Sequence, residues 1–200
     1  MSQLYRLRHE SEEAIRCAQR ILDEYPDSYE TRSGLASYRV ATYKVHDTQE
    51  YNGAIAAAQA ALAKPDFQIA RSLRRSLVTV IAHAYNGLGN GTEAEKWLTE
   101  QLPTCPYLLS YNYYYNTIVE AKILGNDFDG ALAHARAGYA TCPFDRKAIQ
   151  EMCDLVRRCY MLKGDWQKGI EFVAAQENAE APNPLREVPL PSLAPEQKEA

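Results

Sequence analysis

The chain has 200 residues, 46% of them hydrophobic, and carries a formal charge of −4. That length supports one domain with a sizeable core. The mild negative balance argues against nucleic acid or an anionic membrane as the main partner, and no apolar run approaches the ~20 residues of a membrane helix, so no membrane insertion is expected. Met1 to Glu10 is charged from Arg6 onward and has no apolar stretch, so it does not read as a signal peptide. The five cysteines, Cys17, Cys105, Cys142, Cys153 and Cys159, form no CxxC pair. An odd count of this kind fits a reducing, cytoplasmic setting.

Helical periodicity runs from Leu4 to about Ala175. It predicts a lead helix over 3–24 and then four helical hairpins. Their first helices are expected over 28–46, 66–88, 107–124 and 145–162. Their second helices are expected over 50–63, 91–102, 128–140 and 166–177. Asp27-Ser28 and Asp66 suit helix starts, where a side-chain oxygen accepts from orphan N–H groups. Gly89, Gly125 and Gly164 suit helix ends, where glycine takes the left-handed conformation at little cost. Small residues at Ala54, Ala94, Ala131 and Gly169 predict close approach of each second helix to its partner. Val78, Ile81, Tyr85, Tyr115 and Ile118 are expected to fill the core. Four of the fourteen tyrosines crowd into 111–115, too many to be buried on one helix face. Cys105 and Cys142, each within Thr-Cys-Pro, read as small packed residues at the turns between hairpins. The chain divides into a helical domain over 1–180 and a proline-rich tail over 181–200, where Pro182, Pro184, Pro189, Pro191 and Pro195 disfavour helix.

Prolines also mark a longer beat. Pro26, Pro65, Pro106, Pro143 and Pro182 are 39, 41, 37 and 39 residues apart, a period typical of helical repeat arrays. Three stretches sharpen the pattern: Ala84-Tyr85-Asn86-Gly87-Leu88-Gly89 with Ala94, Leu98, Leu102 and Pro106; Leu124-Gly125-Asn126-Asp127-Phe128 with Ala131, Gly138 and Pro143; and Leu162-Lys163-Gly164-Asp165-Trp166 with Gly169-Ile170 and Pro182. Over roughly 11–180 the chain resembles the tetratricopeptide repeat family. It departs from that family in its period, which exceeds the usual ~34 residues, and in Gly91, which stands where an aromatic residue is expected before Ala94. The resemblance implies an all-α, right-handed α-α superhelix of about four hairpins plus the N-terminal helix. It also implies a concave groove lined by the first helices.

On that alignment the groove holds four stripes at helical spacing. They are Ala36, Arg39, Tyr43 and His46; Ser76, Thr79, His83 and Asn86; Tyr113, Asn116, Glu120 and Ile123; and Glu151, Asp154, Arg158 and Met161. The candidate partner-binding residues among them are Arg39, Tyr43, His46, Thr79, His83, Asn86, Tyr113, Asn116, Glu120, Asp154 and Arg158. Asn86 and Asn116 suit a ligand backbone, and Tyr43 and Tyr113 suit flat apolar contacts. Family members that clamp the carboxylate terminus of heat-shock chaperones use Lys, Asn and Arg over three repeats. Here Tyr43, Thr79, His83 and Glu120 occupy the neighbouring positions, so that clamp is not reproduced.

Little in the sequence points to catalysis or a cofactor. Gly87-Leu88-Gly89-Asn90-Gly91 resembles a phosphate loop in composition, but it follows a predicted helix where such loops follow a strand. His46 and His83 are expected to come close on adjacent first helices, with no third metal ligand in sight. Arg71, Arg74, Arg75 and Arg157, Arg158 read as solvated helix faces. The expected function is a non-catalytic protein-protein interaction scaffold or adaptor that binds a peptide or helix in its groove. The alternatives are a self-assembling structural subunit, through Trp166, Ile170 and Phe172 of the last helix, or a small acidic secretion-type chaperone.

Overall fold

The fold is seen in a computed structural model that describes residues 3, 7–24, 31–63, 71–141 and 146–177. The described residues are helical with no strand among them. The helices are α1 (Ser11–Glu24), α2 (Thr31–His46), α3 (Tyr51–Leu62), α4 (Arg71–Gly87), α5 (Gly91–Gln101), α6 (Asn112–Leu124), α7 (Phe128–Thr141), α8 (Arg146–Lys163) and α9 (Trp166–Glu177), with a 3-10 turn at Pro106–Ser110. The expected caps at Asp27-Ser28 and Asp66, the residue Cys142 and the tail over 181–200 lie outside the described residues. The chain forms two compact units, Met1–Tyr107 and Leu108–Ala200.

In the first unit α1 packs on α2, α2 on α3, α3 on α4 and α4 on α5, while the first helices α2 and α4 also touch directly. In the second, α6 packs on α7, α7 on α8 and α8 on α9, and the first helices α6 and α8 again touch. Both units therefore stack hairpins in the same order. The helix α3 explains how so short a segment holds its place. Its sequence is rich in alanine, which costs least in a helix, and Ala54, Ile55, Ala58 and Ala61 bury one stripe. They join Ala41, Val45, Leu77, Val80, Ile81 and Ala84 in the core of the first unit. Trp97 of α5 donates from its indole N–H to the Val78 carbonyl at 3.0 Å, which fixes α5 to α4. In the second unit Ile118, Val119, Ala131, Leu132, Ala135, Met152 and Val156 are buried. So are the thiols Cys153 and Cys159, and Cys159 donates to the Phe128 carbonyl at 3.3 Å.

Three of the hairpin turns share one closure. Residues with positive φ stand at Gln49, Gly89, Asn126 and Gly164. After the last three, the next N–H reaches back to the carbonyl five residues earlier: Asn90 to Tyr85, Asp127 to Lys122, and Asp165 to Tyr160. This is the bond pattern that ends a helix on a left-handed residue. Gly125 was expected in that role, but its φ is −82°; the left-handed residue is the following Asn126, whose short amide tolerates the region. The next helix then starts on a side-chain cap. Asn90 accepts from the Glu93 N–H at 3.2 Å, and Asp127 accepts from the Gly130 N–H at 2.9 Å.

Two other expectations are corrected. The lead helix was expected to run unbroken over 3–24; Gln3 and Leu7 are helical, but a break at His9, with φ 61°, precedes α1 at Ser11–Glu24. The third first helix was expected from residue 107. There, Pro106–Ser110 forms a 3-10 turn and α6 begins at Asn112. Leu108 is buried in that turn, and the Tyr115 hydroxyl donates to the Leu109 carbonyl at 3.0 Å.

Candidate functional site

In the first unit the candidate residues lie on α2 and α4. Tyr43, Thr79 and Asn86 are buried, Arg39 and His83 are half-buried, and His46 is exposed. The His46 and His83 rings meet at 5.0 Å between centroids with a 33° tilt. No group of three or more His, Cys, Asp or Glu side chains suited to a metal occurs among the described residues. Tyr43 was expected to offer an open ring. It is only 4% exposed, so it presents no flat surface. Thr79 spends its hydroxyl on the Arg75 carbonyl at 2.8 Å, inside its own helix.

The second unit holds the better-formed feature. Asn112, Tyr115 and Asn116 of α6, Gly138 and Tyr139 of α7, and Ala148, Ile149 and Met152 of α8 line a small cleft of ≈ 10 Å³, room for about one water. Its walls meet closely because Gly138 has no side chain where α7 crosses Tyr115. Asn116 sits at the junction of the two first helices. Its Nδ2 donates to the Ala148 carbonyl at 3.2 Å and to Glu151 Oε2 at 3.0 Å. Both partners are acceptors, which sets the amide orientation: a flipped amide would turn oxygen toward a carboxylate and a carbonyl. Asn116 Oδ1 is left buried without a hydrogen-bond partner, on a side chain only 8% exposed. A buried acceptor in that state costs about 1–3 kcal/mol.

The remaining candidates of this unit are placed differently. Tyr113 is half-buried and stacks near Tyr111 at 5.4 Å. Glu120 is half-buried, and Asp154 and Arg158 are exposed on α8. Asp154 pairs with Arg157 at 3.4 Å. None of these four lines the cleft. The structure thus joins Asn116 to Glu151, both on the expected stripes, and adds Asn112, Tyr139, Ile149 and Met152, which the sequence reading missed. The signal for those four lay in Gly138. A glycine seven residues after Ala131 marks a second close crossing, and its neighbours border the gap it opens.

The surface at the end of this unit is apolar. Trp166 is 58% and Ile170 62% exposed on α9, with Met161 and Leu162 exposed nearby in sequence. Phe172 is instead buried, 6.2 Å from the Tyr160 ring. Neither a protein-family model, a curated protein nor a solved structure matches this chain. No described helix is long and apolar enough to cross a membrane.

Proposed function

We propose that the chain is a non-catalytic interaction module of the tetratricopeptide kind, working in the cytoplasm, whose second unit holds an extended segment of a partner protein. The observation that carries this reading is the buried, unpartnered Oδ1 of Asn116 beside an open cleft. Its complement is an N–H donor, which every peptide backbone supplies. Ile149, Met152, Tyr115 and Tyr139 give the same cleft an apolar lining. Free thiols at Cys17, Cys105, Cys153 and Cys159 suit the reducing setting. No cofactor enters the reading.

The test is a random peptide library panned against the whole chain, followed by titration of an enriched synthetic peptide. Asn116→Ala should weaken binding at least tenfold, about 1.4 kcal/mol, with the circular dichroism spectrum retained. Methylating the peptide backbone nitrogens one at a time should abolish binding at one position. Unchanged affinity in folded Asn116→Ala, or tolerance of every N-methyl group, would overturn the proposal. Self-assembly remains the second reading, supported by the exposed Trp166 and Ile170. It predicts a concentration-dependent mass in light scattering that Ile170→Glu abolishes.

A further inference from the structure

The hairpins provide an internal comparison for the apolar end of the second unit. Aligned on Ala54, Ala131 and Gly169, three second helices match position by position. Tyr51, Phe128 and Trp166 open them, and Ile55, Leu132 and Ile170 stand one turn later. In α3 and α7 these positions are covered. Tyr51 and Phe128 are half-buried, and Ile55 and Leu132 are only 9% and 5% exposed. The cover is the next first helix. Ile55 shares one core with Leu77, Val80 and Ile81 of α4, and the Tyr51 ring lies so close to Gly87 of α4 that a Cβ there would clash with it. In the same way α8 packs on α7. In α9 the matching Trp166 and Ile170 are 58% and 62% exposed. With the half-buried Val173 they form one stripe at four- and three-residue spacing. The end of a helical stack needs a polar outer face; this stripe is apolar.

The sequence after α9 does not read as another first helix. Residues 178–200 follow Glu177 directly, and Pro182, Pro184, Pro189, Pro191 and Pro195 favour the extended polyproline conformation over helix. That conformation has three residues per turn. Leu185, Val188 and Pro191 then share one edge, and Leu190 and Leu193 share the next, while Arg186 and Ser192 fall on the third. Proline-rich segments of this kind dock on aromatic surfaces, and Trp166 offers one. The reach is sufficient. From Trp166 to Glu177 the helix rises about 16 Å, whereas residues 182–193 span about 35 Å when extended. The segment can therefore turn after Glu177 and still run the length of α9. A short tether also gives it an effective concentration in the millimolar range, which favours it over a second copy at the same face.

We propose that residues 182–193 fold back along α9 and cover the stripe of Trp166, Ile170 and Val173, taking the place on α9 that α4 takes on α3. The docking does not involve the Asn116 cleft, so either can fail without the other. It occupies the face that the self-assembly reading gives to a second copy. The test is NMR on the isotopically labelled full chain. Nuclear Overhauser contacts are expected between the Trp166 ring and the methyl groups of Leu185, Val188 or Leu190, unchanged on dilution. Ile170→Glu should abolish them and return the tail to random-coil shifts. Ile170 is exposed, so that variant keeps the fold. Leu190→Ser with Leu193→Ser alters no helix. It should shift the Trp166 indole N–H signal and leave that of Trp97, held on the Val78 carbonyl, in place. A sample mixed from labelled and unlabelled chains separates the occupants. Contacts that form only between chains would assign the face to a second copy and overturn the proposal. Random-coil shifts over 182–193 in the wild type, or a Trp166 signal indifferent to the tail variant, would overturn it as well.

Discussion

Gly138→Ala is the substitution whose outcome the packing of α6 and α7 decides most sharply. A Cβ at this position would lie 2.6 Å from Tyr115 Cβ and 2.7 Å from Cγ. Carbon pairs rest near 3.5–4.0 Å, so the contact must open by about 1 Å. The atoms met are at the root of the tyrosine, not at its tip, so rotating the ring does not relieve them. The ring is also held, by its hydroxyl on the Leu109 carbonyl and by an edge contact with Tyr114 at 5.1 Å. The helices themselves must separate. Overpacking of this kind costs about 1–3 kcal/mol, against a gain of up to ~1 kcal/mol from replacing glycine inside a helix. A net loss of about 1–2 kcal/mol follows, readable as a lower urea midpoint with an unchanged slope. Gly169→Ala is the matched control. There the added carbon meets Met161 Sδ at 3.5 Å and Tyr160 Cβ at 3.6 Å, ordinary contacts, so only the helix gain remains and stability should rise by about 0.5–1 kcal/mol. Shifts of the same sign in both variants would refute the argument.

Three further outcomes follow from the second unit. Asp127→Ala removes the oxygen that accepts from the Gly130 N–H at the start of α7, and should cost about 0.5–2 kcal/mol in urea denaturation. Asp127→Asn keeps that acceptor but removes a titration. The Lys122 ammonium, bonded to the carboxylate, holds Asp127 below its ordinary value, with help from the Gly130 N–H. A depressed value contributes stability above the unfolded value and loses it as pH falls through the folded one. The wild type should therefore lose more stability than the asparagine variant below about pH 4. Ala131→Leu should destabilise by about 1–3 kcal/mol through overpacking, because Ala131 is fully buried in α7. Wild-type melting in that variant would show that α7 does not approach α6 through this residue.

Helix positions were legible because local signals agreed. Alanine-rich second helices, glycine turns and apolar periodicity all mark the same segments, and α3, predicted over 50–63, runs Tyr51–Leu62. The errors fall where a non-local contact decides. The choice between Gly125 and Asn126 as the left-handed residue depends on which carbonyls the turn must cap. The 3-10 turn before α6 rests on a buried Leu108 and the reach of Tyr115. The candidate site was legible only in part for a related reason. Spacing places Asn116 and Glu151 on facing stripes, but it cannot say that the asparagine spends both N–H groups on acceptors and strands its oxygen. Nor does spacing reveal that Arg74 is half-buried.

Two of the buried thiols make α8 a recorder of its own opening. Burial pushes Cys153 and Cys159 up to about 11 each. At pH 8 only about one closed-state thiol in a thousand is then the reactive thiolate, whereas an exposed thiol near pKa ~8.5 is about one-quarter ionised. An alkylating reagent added to the native protein therefore modifies these positions almost wholly through moments when the helix lifts away. Cys153 lies mid-helix, while Cys159 is tied to the Phe128 carbonyl at the start of α7. Comparing their labelling rates measures whether α8 detaches as one piece or frays from one end, without introducing any probe.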